Sequence, residues 1–196
     1  MGMSKHILII DGHPDRAPHL IHALADAYAN GAEAVGHAVQ RIDLAAMDVP
    51  VLHSPSTWKH PATGRMAEAQ EQIRWANHIA IFFPLWLGDM PAVLKAFFEQ
   101  VMRPGFAFEE GARPGHAGKL KGRSAQVIVT MGMPAAIYRH FYRAHSVKSL
   151  ERNILKLVGI GPVQHILIGG VGATACNYKG WLDEMFGLGE RGTCEI

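Results

Sequence analysis

Short apolar runs alternate with amphipathic stretches along this chain. Ile7 to Ile10 is a continuous apolar run, the pattern of a strand buried on both faces. Leu20 to Ala34 is alanine-rich, and Leu20, Ala23, Leu24, Ala27 and Tyr28 recur at helical spacing. Val39, Arg41 and Asp43 alternate with Ala38, Ile42 and Leu44, which predicts a second strand. Residues 45–64 carry Pro50, Pro55 and Pro61 and predict a long irregular connection. A helix is predicted over Arg65–Trp75 and a buried strand over His78–Phe83, ending at Pro84. Pro91 opens the next helix at its first turn, where proline is tolerated, and Val93, Leu94, Phe97, Phe98 and Val101 form its apolar stripe. Pro104 and Gly105 stop that helix, and Gly111, Gly115 and Gly118 mark a loop. Gln126–Thr130 is a fourth strand. A helical stretch runs on to about Val158, a fifth strand passes through Ile166–Ile168, and a last helix lies near Tyr178–Phe186.

Strands that alternate with helices in this way predict an α/β fold, a parallel sheet covered on both faces. Ligands of such sheets bind beyond the carboxyl ends of the strands, where the strand order reverses. The candidate site is therefore built from the loops after strands one, three and four: Asp11–His19, Pro84–Pro91 and Thr130–Tyr138.

Composition narrows the function classes. The 196 residues are 48% hydrophobic and 18% charged, a globular composition for one ordinary domain spanning 1–196. A net charge of +2 supplies no basic face for a dedicated nucleic-acid binder. No apolar run approaches the roughly 20 residues that span a bilayer, so stable membrane insertion is not expected. The opening MGMSKHILIIDGHPD lacks the features of a secretory signal, and Cys176 and Cys194 make no disulfide framework; a cytoplasmic location is expected. The 12 histidines raise the question of a metal. His19 and His22 are spaced to share one, but no carboxylate or cysteine cluster converges with them in sequence, and no metal is expected.

The first loop, DGHPDRAPH, precedes a helix start. Free backbone N–H groups and the positive dipole end suit a phosphate there, with Arg16 and His13 as added donors; the plain alternative is a solvated turn. No GxGxxG follows the first strand and no GxxxxGK[ST] occurs, which excludes the Rossmann fingerprint and the P-loop. The second loop brings Pro84, Leu85, Trp86, Leu87 and Gly88 to a strand end. Bulky apolar side chains beside free backbone groups suit a flat heterocycle with polar edges; the alternative is a hydrophobic loop packed under a helix.

Pro84-Leu85-Trp86, Met90-Pro91-Ala92, Leu94-Lys95 and Arg103-Pro104-Gly105-Phe106-Ala107-Phe108 together resemble the signature of the flavodoxin-like NAD(P)H:quinone oxidoreductases, the DT-diaphorase, modulator of drug activity B and potassium-efflux ancillary oxidoreductase type. The resemblance extends to Gly12-His13-Pro14, to Asp43-Leu44, and to Thr130 with Gly132. It implies a flavodoxin-like three-layer sandwich around a five-stranded parallel doubly wound sheet. It also implies a bound flavin, FMN or FAD, with NADH or NADPH as co-substrate.

Carried over by residue, His13 and the turn through Arg16, Pro18 and Leu20 would hold the flavin phosphate. Pro84, Leu85, Trp86 and Leu87 would line the ring, and Thr130, Gly132 and Met133 its polar edge. Tyr138 matches the family's active-site tyrosine. The family's charge-stabilising histidine falls at Ala144, leaving His145, or nearby His140, for that role. One departure stands out: where the family supplies a Ser and an Asn to the phosphate, this chain reads Pro18-His19-Leu20. Arg16 or His19 would have to replace them. The compact C-terminal region leaves little material for an adenine site and favours FMN.

The expected activity is two-electron transfer from NAD(P)H through flavin to a quinone, with Tyr138 and His145 stabilising charge on the reduced ring. Competing readings keep the flavin: an azo-, nitro- or chromate-reducing enzyme, an electron carrier, or a regulatory subunit of a potassium-efflux antiporter. A pI near 8.6 argues against a carrier, which would present an acidic face. The family further implies a homodimer, with Phe106 and Phe108 either at the interface or packed within the chain.

Overall fold

The structure, a computed structural model, describes residues 4–109, 118–174 and 176–194. Gly111, Gly115 and His116 lie outside the described residues. The elements run β1 (His6–Asp11), α1 (Leu20–Ala34), β2 (Ala38–Asp43), α2 (Pro55–Lys59), α3 (Gly64–Trp75), β3 (His78–Pro84), α4 (Ala92–Val101), β4 (Ser124–Thr130), α5 (Ala135–His140), α6 (His145–Ser149), β5 (Val163–Ile168) and α7 (Tyr178–Arg191). All four strand pairings are parallel, in the order β2-β1-β3-β4-β5. The doubly wound sheet predicted from the alternation is therefore present, and its order reverses between β1 and β3.

The apolar runs divide their side chains between two cores, because successive strand residues face opposite ways. Leu8, Ile10, Ile79, Ile81, Phe83, Val127 and Val129 pack under α3, α4 and α6. Ile7, Ile9, Ala80, Phe82 and Ile128 pack under α1 and α7. The edge strands β2 and β5 are less buried, which explains why only β1, β3 and β4 read as continuous apolar runs.

Two stretches depart from the sequence-based expectation. Within the connection predicted to be irregular, Ser54 caps α2 by accepting from the Thr57 amide, with Pro55 at the first helical position. A Ser-Pro pair of this kind is a start signal, but it heads a helix of only five residues with no buried side chain. The stretch predicted to be helical to Val158 is broken instead. Arg143 and Ala144 take positive φ values of 54° and 49°, and Leu150–Leu155 is π-helical. The bend buries Ala144, Val147 and Leu150 while Phe141 stays in solvent. No glycine or proline marks it in the sequence.

His78 opens β3 in a buried site. Its ring nitrogens lie 3.0 Å from the Tyr28 hydroxyl and 2.7 Å from the Ser124 hydroxyl, either of which can donate or accept. Burial, with the nearby charges of Lys5 and His37, pushes its pKa down from 6.5 to about 4. Between these values the unfolded chain binds a proton that the folded chain refuses. Stability therefore falls as pH drops from 6.5 towards 4, by up to about 3 kcal/mol from this group. Urea midpoints recorded from pH 7 to pH 4 should show that loss, and His78→Gln should flatten it.

Candidate functional site

The carboxyl ends of β1, β3 and β4 carry three loops that are tied together by backbone bonds. The Gly12 amide donates to the Phe82 carbonyl at 2.7 Å, and the Leu85 amide to the Thr130 carbonyl at 2.8 Å. A side chain at Gly12 would meet Leu94 Cδ2 at 2.8 Å, so a glycine here lets loop one lie against β3.

Loop one is organised by Asp11, the buried last residue of β1. Its carboxylate accepts from the His13 amide at 3.2 Å, from His22 Nδ1 at 2.6 Å and from Arg41 Nη2 at 2.6 Å. Arg41 also pairs with Asp26. His22 Nε2 donates to the Asp15 carbonyl at 2.9 Å. With an acceptor at each nitrogen the His22 ring is held as an imidazolium: burial lowers its pKa, but the hydrogen bond and charge of Asp11 outweigh that and raise it. This contribution to stability is complete below the unfolded value near 6.5 and is lost as pH rises through the raised folded value.

His13 is 5% exposed and clusters with the other two histidines, whose own rings lie 5.7 Å apart. Its ring stacks on His19 at 4.0 Å and meets His22 edge-on at 5.1 Å. Its Nδ1 accepts from the Asp15 amide at 3.0 Å. Burial and the neighbouring His19 lower its pKa. His19 Nε2 bonds Asp15 Oδ2 at 2.8 Å, and the Ala17 amide and this histidine together hold the Asp15 carboxyl below its usual range. Two carboxylates thus converge on the histidines after all, through the turn of loop one and the end of β1. Even so, no three His, Cys, Asp or Glu side chains among the described residues are grouped to hold a metal.

The N-terminus of α1 is open to an anion. No side chain caps it, and its first turn carries no acidic residue. Leu20 is its first residue, and Pro18 is exposed just before it. Arg16 points elsewhere: its Nε donates to the Ala45 carbonyl at 2.9 Å, and its side chain lines a cavity with His22, Arg41 and Asp43 on the β2 side.

Loop two is a two-residue hairpin. Trp86 and Asp89 exchange both backbone bonds, and the central residues Leu87 and Gly88 have φ of 49° and 82°. Leu87 is fully exposed in a left-handed conformation that costs roughly 1–2 kcal/mol for a residue other than glycine. A strained, bulky apolar side chain held in solvent points to a ligand rather than to the core. Trp86 is 48% exposed and lies edge-on to His13 at 5.6 Å, which joins the hairpin to loop one. Pro84 and Leu85 are half-buried at the base of the hairpin. Replacing Leu87 with glycine should leave the unfolding free energy within about 1 kcal/mol of its original value, since relief of strain and added chain entropy oppose each other. A denaturation curve of the variant beside the parent checks that balance.

In loop three, Thr130 is buried, Met133 is half-buried and Gly132 is exposed, and the strand end is held by the Met131 amide on the Ile168 carbonyl. Tyr138 is not presented to solvent. It is 1% exposed in the core under α4 and α6, and its hydroxyl lies 2.8 Å from the Ser146 hydroxyl. His145 is exposed at the start of α6, and His140 is exposed at the end of α5. The exposed aromatics of the bend are Phe141 and Tyr142. Phe106 is buried beneath the Arg74 guanidinium, and Phe108 lies against Trp58.

This is a doubly wound α/β protein whose switch point brings an uncapped helix start beside an apolar hairpin. Residues 5–177 match the family described as the flavodoxin-like fold, and the chain belongs to that family. It is 28% identical over 149 residues to an FMN-dependent NADH:quinone oxidoreductase of Ruegeria pomeroyi, covering 67% of this chain and 72% of that one. It is 28% identical over 171 residues to an uncharacterized NAD(P)H oxidoreductase of Haemophilus influenzae, covering 84% and 83%. Among solved structures, an NAD(P)H:quinone oxidoreductase from Methanothermobacter marburgensis superposes with a TM-score of 0.82 at 25% identity, covering 96% and 97%.

Proposed function

We propose that this chain, acting as a single flavodoxin-like unit, is a flavin-dependent NAD(P)H:quinone oxidoreductase. The observation that carries the reading is the juxtaposition of His13 and the uncapped α1 start with the strained Trp86–Leu87 hairpin, across 5.6 Å between the His13 and Trp86 rings. The names of the relatives support the same reading and favour FMN and NADH. A flavin held here would supply two-electron redox chemistry between a nicotinamide and a quinone.

The chain's own residues bind and orient. The first-turn amides of α1, from Leu20 onward, and His13 would meet the phosphate. Trp86 and Leu87 would cover the ring, with Pro84 and Leu85 supporting them. Thr130, Gly132 and Met133 would border its polar edge. His145 is the proposed charge-stabilising group. Tyr138, locked to Ser146, is proposed to fix the bend that carries His145. Arg16 is proposed to brace loop one against the turn after β2 through Ala45.

A homodimer is proposed as the working assembly. An apolar cavity of about 590 Å³ lined by Trp58, Phe98, Met102, Phe108, Ile154 and Leu157 lies outside the three loops and supports a covered face there. No helix among the described residues is long and apolar enough to cross a membrane. Both cysteines are unpaired, in keeping with the proposed cytoplasmic setting. The assignment of the cofactor is tested by denaturing the purified protein and weighing the released flavin. FMN is expected, and FAD would overturn that choice. Light scattering of the same sample tests the dimer, which a fully active monomer would contradict.

A further inference from the structure

We propose that the phosphate end of this site is a proton-linked grip, in which a bound phosphate dianion draws a proton onto the ring of His13. The inference rests on the flavin reading above and deepens it. The geometry lies at His13 Nδ1, which is 3.0 Å from the Asp15 amide nitrogen and 3.1 Å from the Asp15 carbonyl oxygen. A neutral ring accepts from the amide; a charged ring donates to the carbonyl. The carbonyl thus offers the charged ring an acceptor, at the cost of the amide, which aims at the same nitrogen and then loses its own. In both states, Nε2 carries a hydrogen, and it makes no hydrogen bond among the described residues. The ring is stacked on His19, the residue that precedes the uncapped α1, so its unpartnered Nε2–H and the helix start can offer donors to one anion.

The surroundings set which state is filled. From α1, His19 stacks on His13 and His22 stands edge-on, and the His22 imidazolium is already satisfied by Asp11 and the Asp15 carbonyl. From β1 comes Asp11, whose charge is shared with His22 and Arg41; from the loop come Asp15, paired with His19, and Arg16, turned to Ala45. From β2 come Arg41 and Asp43, with Asp26 of α1 on Arg41. The hairpin contributes the uncharged edge of Trp86. Burial and the His19 and His22 neighbours hold the His13 pKa below its usual value. A phosphate dianion reverses that balance by placing two negative charges at the same rings. The histidines thereby take the part that hydroxyl and amide side chains would play at Pro18 and Leu20, and they make the grip titratable.

The test is calorimetric titration of the full chain, freed of flavin, at pH 7.5 in two buffers of different ionisation enthalpy. FMN and riboflavin are the two probes. At that pH the FMN phosphate is already largely a dianion, so a proton taken up comes to the protein. The expected result is uptake of about half to one proton per FMN and none with riboflavin. FMN affinity should rise with falling pH between 8 and 6.5, approaching tenfold per unit if a full proton is bound. His13→Gln, which keeps a donor but has no basic nitrogen, should remove the uptake and the slope. Inorganic phosphate should bind weakly with the same proton uptake, marking the phosphate as the source. No uptake with FMN, equal uptake with riboflavin, or an unchanged slope in His13→Gln would overturn the proposal while leaving the flavin reading standing. Failure of both flavins to bind at any pH would overturn both.

Discussion

Replacing Asp11 with alanine is expected to destabilise the fold by about 3–5 kcal/mol and to abolish flavin retention. The carboxylate is wholly buried and accepts from three donors: the His13 amide, His22 and Arg41. Without it, the partly buried Arg41 and His22 lose a charged partner, and the amide that sets the start of loop one is unpaired. Arg41 keeps Asp26 and His22 can shed its proton, which limits the loss. The bonds of Gly12 to Phe82 and of Arg16 to Ala45 hold the two sides of loop one but not His13, so the His13 ring and the helix start lose their alignment. Asp11→Asn preserves shape and one acceptor and should fall between the two. The check is a denaturation curve beside an FMN titration. A change under about 1 kcal/mol with unaltered FMN binding would show that the carboxylate does not organise the site.

Gly189→Ala should cost at least about 3 kcal/mol, whereas Gly187→Ala, two residues away on the same helix, should stabilise by about 0.5–1 kcal/mol. A methyl group on Gly189 would overlap the Tyr28 carbonyl oxygen, and one on Gly31 would overlap that of Phe186. The two helices therefore meet backbone to backbone through paired glycines, and a side chain on either must drive them apart. That separation would also loosen Ile21, Leu24 and Met185 from the sheet beneath. Gly187 has only Arg191 Nη1 nearby, at 3.8 Å, so alanine there gains helix propensity without a clash. Thermal melts of the two variants give opposite signs if the crossing is as described.

The sheet was legible because β1, β3 and β4 are buried on both faces and show as unbroken apolar runs. Their alternation with helices then leaves few topologies. The bend at Arg143 and Ala144 was not legible, since both residues adopt a conformation that their side chains do not advertise. The three loops were found from the strand ends, and Trp86 and Leu87 stood out as apolar residues with no strand or helix to bury them. Asp11 went unnoticed, although an acid closing an apolar run at a switch point is a usable signal. The histidines of loop one read separately, because spacing along the chain does not reveal that His13 stacks on His19 or that Asp11 and Asp15 turn back onto the rings. Tyr138, matched by its motif position, is buried with its hydroxyl against that of Ser146, a placement that spacing along the chain does not reveal.

The central claim is that this cleft retains a flavin and couples nicotinamide oxidation to quinone reduction. Protein incubated with FMN, freed of excess and mixed anaerobically with NADH and menadione tests it most directly. The expected result is about one FMN retained per chain and one NADH consumed for each quinone reduced. A protein that keeps no flavin, or leaves both NADH and NADPH untouched in the presence of quinone, would contradict it.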